Sequence, residues 1–277
     1  MDLKIGIRGH DLVTNSDVET LVEKLKLHNL KYLQLVFPKT FKDYTYEDVF
    51  VENVSKVLKE NDIKVAMLGA YFNPVHSDKE VVKKGVNNFI SNLNIANKFN
   101  NPYVGSETGS YNDSPWTYVP KNHTQEAYDE VYSVFKNLVE HAIKIDQKIV
   151  IEPAFNHCIY NVNELSNILK RFDSDNVFVT VDLFNLLSLE NYQNKNQVFE
   201  EALKTFNSKV KIIHIKDSIL EDGKIKQVNP FEGDFDYEFM LKTINKYSKD
   251  AVLIFEGVKE ESIDNAYIKL KEIAEKI

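Results

Sequence analysis

The 277-residue chain has a single cysteine, Cys158. One thiol cannot build an intramolecular disulfide framework, and its lone presence fits a reducing compartment. Basic charge is also scarce: 34 lysines and arginines stand against 42 aspartates and glutamates, a net charge of −8. That balance argues against non-specific nucleic-acid binding, which needs a basic surface. No hydrophobic run approaches the length of a membrane span. Met1-Asp2-Leu3-Lys4 enters a strand pattern directly, without the apolar segment of a signal peptide. The expectation is a soluble cytoplasmic protein with neither nucleic acid nor membrane as a partner. Glycine numbers only nine, and Gly6-Ile7-Arg8-Gly9 does not supply the Gly-rich turn of a dinucleotide-binding sheet. A phosphate-binding P-loop motif is absent as well.

What the chain does have is a regular alternation. Apolar strand patterns fall at residues 3–7, 31–36, 63–69, 102–107, 148–152, 176–182, 211–217 and 251–256. Helical periodicity separates them. One helix opens at Ser16-Asp17-Val18-Glu19, read as a capping box, with Val18, Leu21, Val22 and Leu25 on one face. A second, over 46–59, carries Val49, Val54, Val57 and Leu58; a third runs from a box at Ser77–Glu80 to about residue 99. Further helices are expected over 124–144, 164–172, 197–206 and 235–247 and at the C-terminus. Strands alternating with helices give a parallel sheet, and eight repeats favour a closed (β/α)8 TIM barrel, one domain over residues 1–277. The loop after residue 107, which holds the only tryptophan, Trp116, is long for a barrel connection and is a candidate lid or binding loop.

In such barrels the functional groups sit at the C-terminal ends of strands. Glu152, Asp182, His214 and Glu256 occupy those ends on four consecutive strands. In the seventh, Ile212, His214 and Lys216 share one face and Ile213, Ile215 and Asp217 the other. Three carboxylates brought together repel unless protonated or bridged by a cation. Two Glu, one Asp and one His form an oxygen and nitrogen set suited to one Mn²⁺, Co²⁺, Mg²⁺ or Zn²⁺ ion.

The segments Ile151-Glu152-Pro153, Val181-Asp182-Leu183-Phe184-Asn185, Ile213-His214-Ile215-Lys216-Asp217 and Phe255-Glu256-Gly257 resemble the xylose isomerase-like TIM-barrel superfamily. Within it they are most similar to the sugar phosphate isomerase/epimerase family, which includes ketose 3-epimerases. Tyr71-Phe72-Asn73-Pro74-Val75-His76 and Glu107-Thr108-Gly109-Ser110 extend the resemblance over most of the chain. It implies that Glu152, Asp182, His214 and Glu256 bind one divalent metal and that Glu152 and Glu256 also act as acid and base. It leaves room for a homo-oligomer. Where the family carries a histidine three residues beyond the strand-six aspartate, this chain has Asn185. With Gln34 at strand two, that departure leaves it short of the three-metal set of the related DNA-repair endonucleases.

Isomerising or epimerising a ketose removes a weakly acidic proton beside a carbonyl and stabilises an enediolate. Glu152 and Glu256, three strands apart in a ring of eight, can approach a small carbohydrate from different sides. His10, Asn73, His157, Asn185 and Lys216 are candidate substrate contacts, Lys216 competing with a salt bridge to a nearby carboxylate. Glu107 is expected to support a ligand, and Asp217 to be structural. Tyr71, Phe72, Phe155 and Trp116 are candidates for an apolar wall against a sugar face. A phosphorylated substrate is disfavoured, because Glu221, Asp222, Glu232, Asp234, Glu260 and Glu261 surround the loops that bind phosphate in barrels. Dehydration of a keto-polyol at the same site, as inosose dehydratases of the superfamily perform, and a sugar-binding barrel without turnover are the alternatives.

Overall fold

The computed structural model describes residues 1–277 throughout. Eight parallel strands close into a barrel: β1 (Ile5–Arg8), β2 (Tyr32–Leu35), β3 (Lys64–Gly69), β4 (Tyr103–Glu107), β5 (Ile149–Glu152), β6 (Val177–Asp182), β7 (Val210–Ile215) and β10 (Val252–Phe255). The seam is the pairing of β1 with β10, Ile5 opposite Leu253 and Ile7 opposite Phe255. A separate antiparallel pair, β8 (Asp217–Glu221) and β9 (Lys224–Val228), fills the connection after β7. No helix is long and apolar enough to cross a membrane.

Side-chain alternation divides the barrel into two hydrophobic layers. Inside, Ala66, Met67, Val150, Ile212 and Ile254 form a plug of 5 residues; outside, 70 buried residues knit the strands to the helices, so most of the core lies between the sheet and its helical jacket. The interior is tight. A Cβ at Gly6 would fall 2.1 Å from the Tyr32 carbonyl oxygen, and one at Gly105 would fall 2.3 Å from Met67 Cε and 2.5 Å from a Val150 methyl.

The helices follow their caps. Thr124 accepts from Ala127 N at the start of Gln125–Lys144, Asn161 from Glu164 N before Val162–Phe172, and Asp236 from Phe239 N before Tyr237–Tyr247. Two expected capping boxes are displaced by one residue. Asp17, not Ser16, caps Val18–Leu27, and Asp78, not Ser77, caps Lys79–Ile95. Ser16 is drawn away by backbone hydrogen bonds with Thr40 and Lys42, and Ser77 by Asp113. The second helix begins at Asp48 and buries Val51, Val54 and Leu58. Val49, expected on that face, lies in the first turn and is 84% exposed.

The seventh strand is also shorter than the expected 211–217 segment. It stops at Ile215, and Asp217 opens the hairpin. The hairpin turns at Asp222 and Gly223, both at positive φ (50° and 69°), the left-handed pair that a two-residue turn between twisted strands requires. Asp217 is structural, as expected. It is fully buried and its carboxylate accepts from the backbone N–H of Ser218, Phe231, Gly233 and Phe235, fastening the chain beyond the hairpin to the barrel.

Candidate metal centre

Every barrel strand but β3 carries a polar side chain at its C-terminal end or one residue from it. Registry brings them together: Glu107 on β4 lies opposite Glu152 on β5, and Asp182 on β6 lies opposite His214 on β7. Glu256 follows β10 directly. One ligand atom from each of Glu152, Asp182, His214 and Glu256 can be chosen so that all lie within 4.8 Å of one another. Glu152, Asp182 and His214 are at most 2% exposed.

The imidazole of His214 is oriented from the far side. Its Nε2 donates to Gln34 Oε1 at 2.8 Å, and the Gln34 amide donates to the Tyr71 hydroxyl at 2.7 Å. That assignment of the proton leaves the Nδ1 lone pair facing the carboxylates, 2.7 Å from Glu256 Oε2, 3.4 Å from Glu152 Oε1 and 3.6 Å from Asp182 Oδ2. Burial acts to lower the His214 pKa, but Glu256 and Glu152 draw it well above its usual value, so these carboxylates favour a second proton on Nδ1, the position a bound cation would take in its stead.

Two fixed cations flank the set. Arg8 donates through Nη1 to Glu256 Oε1 at 2.6 Å and is itself gripped by both oxygens of Asp11. Lys216 Nζ lies 2.7 Å from Asp182 Oδ2 and 3.4 Å from Glu256 Oε1, and 5.5 Å from the centre of the Phe184 ring. Burial alone would raise the Glu256 pKa, yet His214, Lys216 and Arg8 hold it well below the usual carboxylate range. Formally, with His214 neutral as a metal ligand must be, the four carboxylates of Asp11, Glu152, Asp182 and Glu256 face the two charges of Arg8 and Lys216, and the two negative charges left over match one divalent ion.

The donor atoms themselves fit such an ion. Asp182 Oδ2, His214 Nδ1 and Glu256 Oε2 are buried and none has a hydrogen-bond partner. The nearby Lys216 ammonium approaches Asp182 Oδ2 off the hydrogen-bond direction, so the short distance does not satisfy that oxygen. Three orphaned donors converging on one point are costly unless something positive joins them.

The remaining candidates separate. Asn185 belongs to the centre: its Nδ2 donates to Glu152 Oε1 at 2.7 Å, and its backbone N–H to Asp182 Oδ1 at 3.3 Å, so it orients two of the four donors. Lys216 also belongs, through the ion pairs above. His10 stands at the mouth in the one-turn helix Gly9–Leu12, with Nδ1 unpartnered. Burial first, then Arg8 and Lys39, lowers its pKa to about 3, so the ring is neutral. His157 is 5% exposed, packs edge-on against Trp116 with ring centres 5.8 Å apart, and has an unpartnered Nδ1. Burial lowers its pKa to about 4.

Asn73 does other work. Its Oδ1 accepts from Val75 N and Ser110 N, and its Nδ2 donates to Ser110 O, clamping the loop after β3 to the loop after β4. Phe72 is withdrawn too, packed among Phe89 and Phe135. The Trp116 loop is a fastened wall: Ser110 Oγ donates to Thr117 O, and the buried Asn122 donates to Asn156 O.

Arg8 and Gln34 were not among the candidates, although both end strands in the manner that marked the carboxylates. Glu107, placed as a supporting residue, has no protein hydrogen bond to its carboxyl group and borders a cavity with His157 and Asn185. Burial, then Glu152 and Glu256, pushes its pKa up to about 8.

A family model described as xylose isomerase-like TIM barrel matches residues 22–275. Among solved structures, a xylose isomerase domain protein from Planctomyces limnophilus superposes with a TM-score of 0.77 at 18% identity, over 99% of this chain and 98% of that one. The IolI protein with a bound zinc atom gives 0.76 at 17% identity, over 99% of both chains. A D-tagatose 3-epimerase-like protein gives 0.75 at 18% identity, over 99% and 97%. At such identities the likeness establishes the fold. No curated protein sequence matches the chain.

Proposed function

The chain belongs to the xylose isomerase-like TIM-barrel family, and from that premise we propose that it is a divalent-metal-dependent isomerase or epimerase of a small carbohydrate, working in the cytoplasm. The observation that carries the reading is the convergence of three orphaned, buried donor atoms from Asp182, His214 and Glu256 beside Glu152. A divalent ion held by these four residues would supply a Lewis acid that polarises a substrate carbonyl and offsets the charge of an enediolate.

The chain's own groups do the rest. Glu152 and Glu256 enter from strands on different sides of the mouth, so one can remove the proton beside the carbonyl while the other returns it. Asn185 fixes the orientation of Glu152 by the hydrogen bond to Oε1, and Arg8 fixes that of Glu256. Lys216 places a positive charge beside Asp182 and Glu256 and is positioned to meet a substrate oxygen. His10 and His157, both held neutral, offer a donor or an acceptor to sugar hydroxyls without adding charge.

One observation favours a second reading at the same site. Glu107 lies opposite Glu152 and lines the cavity beside the centre, and burial pushes its pKa up, which suits a general acid that expels a hydroxyl as water. Dehydration of a keto-polyol is that alternative. A barrel that merely binds sugar would have no need of the orphaned donor set.

The deciding experiment has two parts. Metal analysis of the purified protein should find about one divalent ion per chain. Incubation with a ketose panel in heavy water should then place deuterium on the carbon beside the carbonyl. Deuterium incorporation without loss of water supports isomerisation or epimerisation, and loss of water supports the second reading. A protein free of metal that retains sugar affinity would sink both.

A further inference from the structure

A cavity of about 540 Å³ opens beside the metal centre, and its lining changes character with depth. At the inner end stand Glu107, His157 and Asn185, the last touching Glu152. Of the remaining lining, Phe184 lies against Lys216, Leu187 and Ser188 are buried, Trp116, Phe155 and Ile225 are half-buried, and Asn156, Leu189 and Lys224 are exposed at the outer rim. Ile225 and Lys224 come from β9, so the hairpin after β7 reaches over to the loops after β4, β5 and β6 and completes the outer wall. That wall is braced. The Phe155 N–H donates to Asn185 O at 2.6 Å, His123 Nε2 meets Phe155 O at 2.7 Å, and the Phe155 ring stacks on Tyr118 at 5.7 Å.

We propose that this outer compartment binds a second ring, so that the substrate class is a glycosylated sugar of disaccharide size, with its reacting unit at the metal centre and its other ring against Trp116, Phe155 and Leu189. The inference rests on the sugar-enzyme reading above and deepens it.

Size and chemistry support it together. The cavity falls within the roughly 300–1,000 Å³ range of pockets that enclose drug-sized ligands. A hexose has twelve non-hydrogen atoms, bonded and therefore denser than water, and one such ring fills only part of the space. A sugar ring presents apolar C–H faces and a polar rim, and the outer compartment offers aromatic and aliphatic walls with an amide and an ammonium at the edge. Leu189 is 60% exposed at that edge, so an apolar surface is open to a ligand there. His157, on the same lining, keeps a buried, unpartnered Nδ1.

Trp116 is the only tryptophan of the chain and lines the cavity, so its emission reports on the outer compartment. The full-length, Mn²⁺-loaded protein is titrated with D-fructose and with three glycosyl-fructoses (lactulose, isomaltulose and turanose), read by Trp116 fluorescence and by calorimetry. At least one glycosyl-fructose should bind about tenfold or more tightly than fructose. Leu189→Lys, at an exposed position where folding is not at stake, should remove most of that advantage and leave fructose affinity in place. Fructose binding as tightly as all three, or an advantage that survives Leu189→Lys, overturns the inference. If fructose binds and exchanges deuterium while the second ring adds nothing, the inference alone falls. If none of the four sugars binds the metal-loaded protein, the sugar-enzyme reading falls with it.

Discussion

Gln34 and His214, 180 residues apart in sequence, meet across the barrel through a 2.8 Å hydrogen bond that fixes which imidazole nitrogen faces the carboxylates. A ligand histidine whose other nitrogen is tethered to an uncharged acceptor keeps its orientation and its lone pair at the centre. Gln34→Leu removes the tether and keeps much of the volume. Its metal affinity should fall about 10- to 100-fold, with the far-ultraviolet circular dichroism unchanged, as measured by titration with Mn²⁺ or Zn²⁺. An unaltered affinity would show that packing alone holds the ring.

Removing the ion should lower stability, because a ligand that binds only the folded state adds about 2.7 kcal/mol at a hundredfold excess over its Kd. Thermal melts with and without chelator should show the difference as a higher Tm for the metal-loaded protein. Asp182→Asn, which weakens one donor and leaves its shape, should abolish the chelator effect. A chelator-sensitive Tm that persists in that variant would place the ion elsewhere.

Asp217 accepts four backbone N–H groups beyond β7. Asp217→Ala leaves those donors buried without a partner, and hydrogen bonds to a charged group are each worth about 1.5–3 kcal/mol. A total loss of about 3 kcal/mol or more in urea unfolding is expected. Limited proteolysis should find the first new cleavage between residues 228 and 236.

Stability should also fall between about pH 6.5 and pH 4 through His157. Burial lowers its folded-state pKa to about 4, while the unfolded chain keeps the ordinary value of 6.5. Within that window the unfolded state binds the extra proton, so unfolding is favoured as pH falls and stability rises with pH. His157→Gln should remove a contribution on the order of 3 kcal/mol from the pH dependence, seen as a shallower profile than wild type in urea titrations at pH 4, 5 and 6.5. Parallel profiles would mean that the ring is charged in the folded protein.

Gly105→Ala would drive a methyl group against Met67 and Val150 inside the barrel. Met67 can bend away, but Val150 sits on a fixed neighbouring strand. The expected loss is about 1–3 kcal/mol in chemical denaturation. A neutral effect would show that the inner plug repacks freely.

The barrel and its four converging donors could be read from the chain because both rest on local pattern. Branched apolar runs ending in Glu152, Asp182, His214 or Glu256 are visible one strand at a time, and closure of the ring does the rest. The partners of those donors were harder to see. Gln34 and Arg8 also end strands, but an amide or a guanidinium has many surface roles, and only the closed ring shows that one reaches His214 and the other Glu256. The hairpin had a cue in Asp222-Gly223 between two β-rich stretches, obscured because Glu221, Asp222 and Lys224 read as a charged loop. Val49 misled for a different reason: helical periodicity counts apolar residues but does not fix the first turn, and starting at Asp48 turns Val49 to water. Asn73 looked like a loop residue free for a sugar until the neighbouring loop claimed its amide.

The pairing of Arg8 with Glu256 ties the first strand to the last. Asp11 holds the guanidinium and also accepts from the N–H of Gly257, so the first and last strands of the ring are stitched at the mouth itself. During synthesis the ribosome must therefore deliver the whole ring, through its eighth strand, before the four donors can meet. A prematurely terminated product, lacking the final strand, would present Glu152, Asp182 and His214 with no fourth arm and leave Arg8 clasping only Asp11.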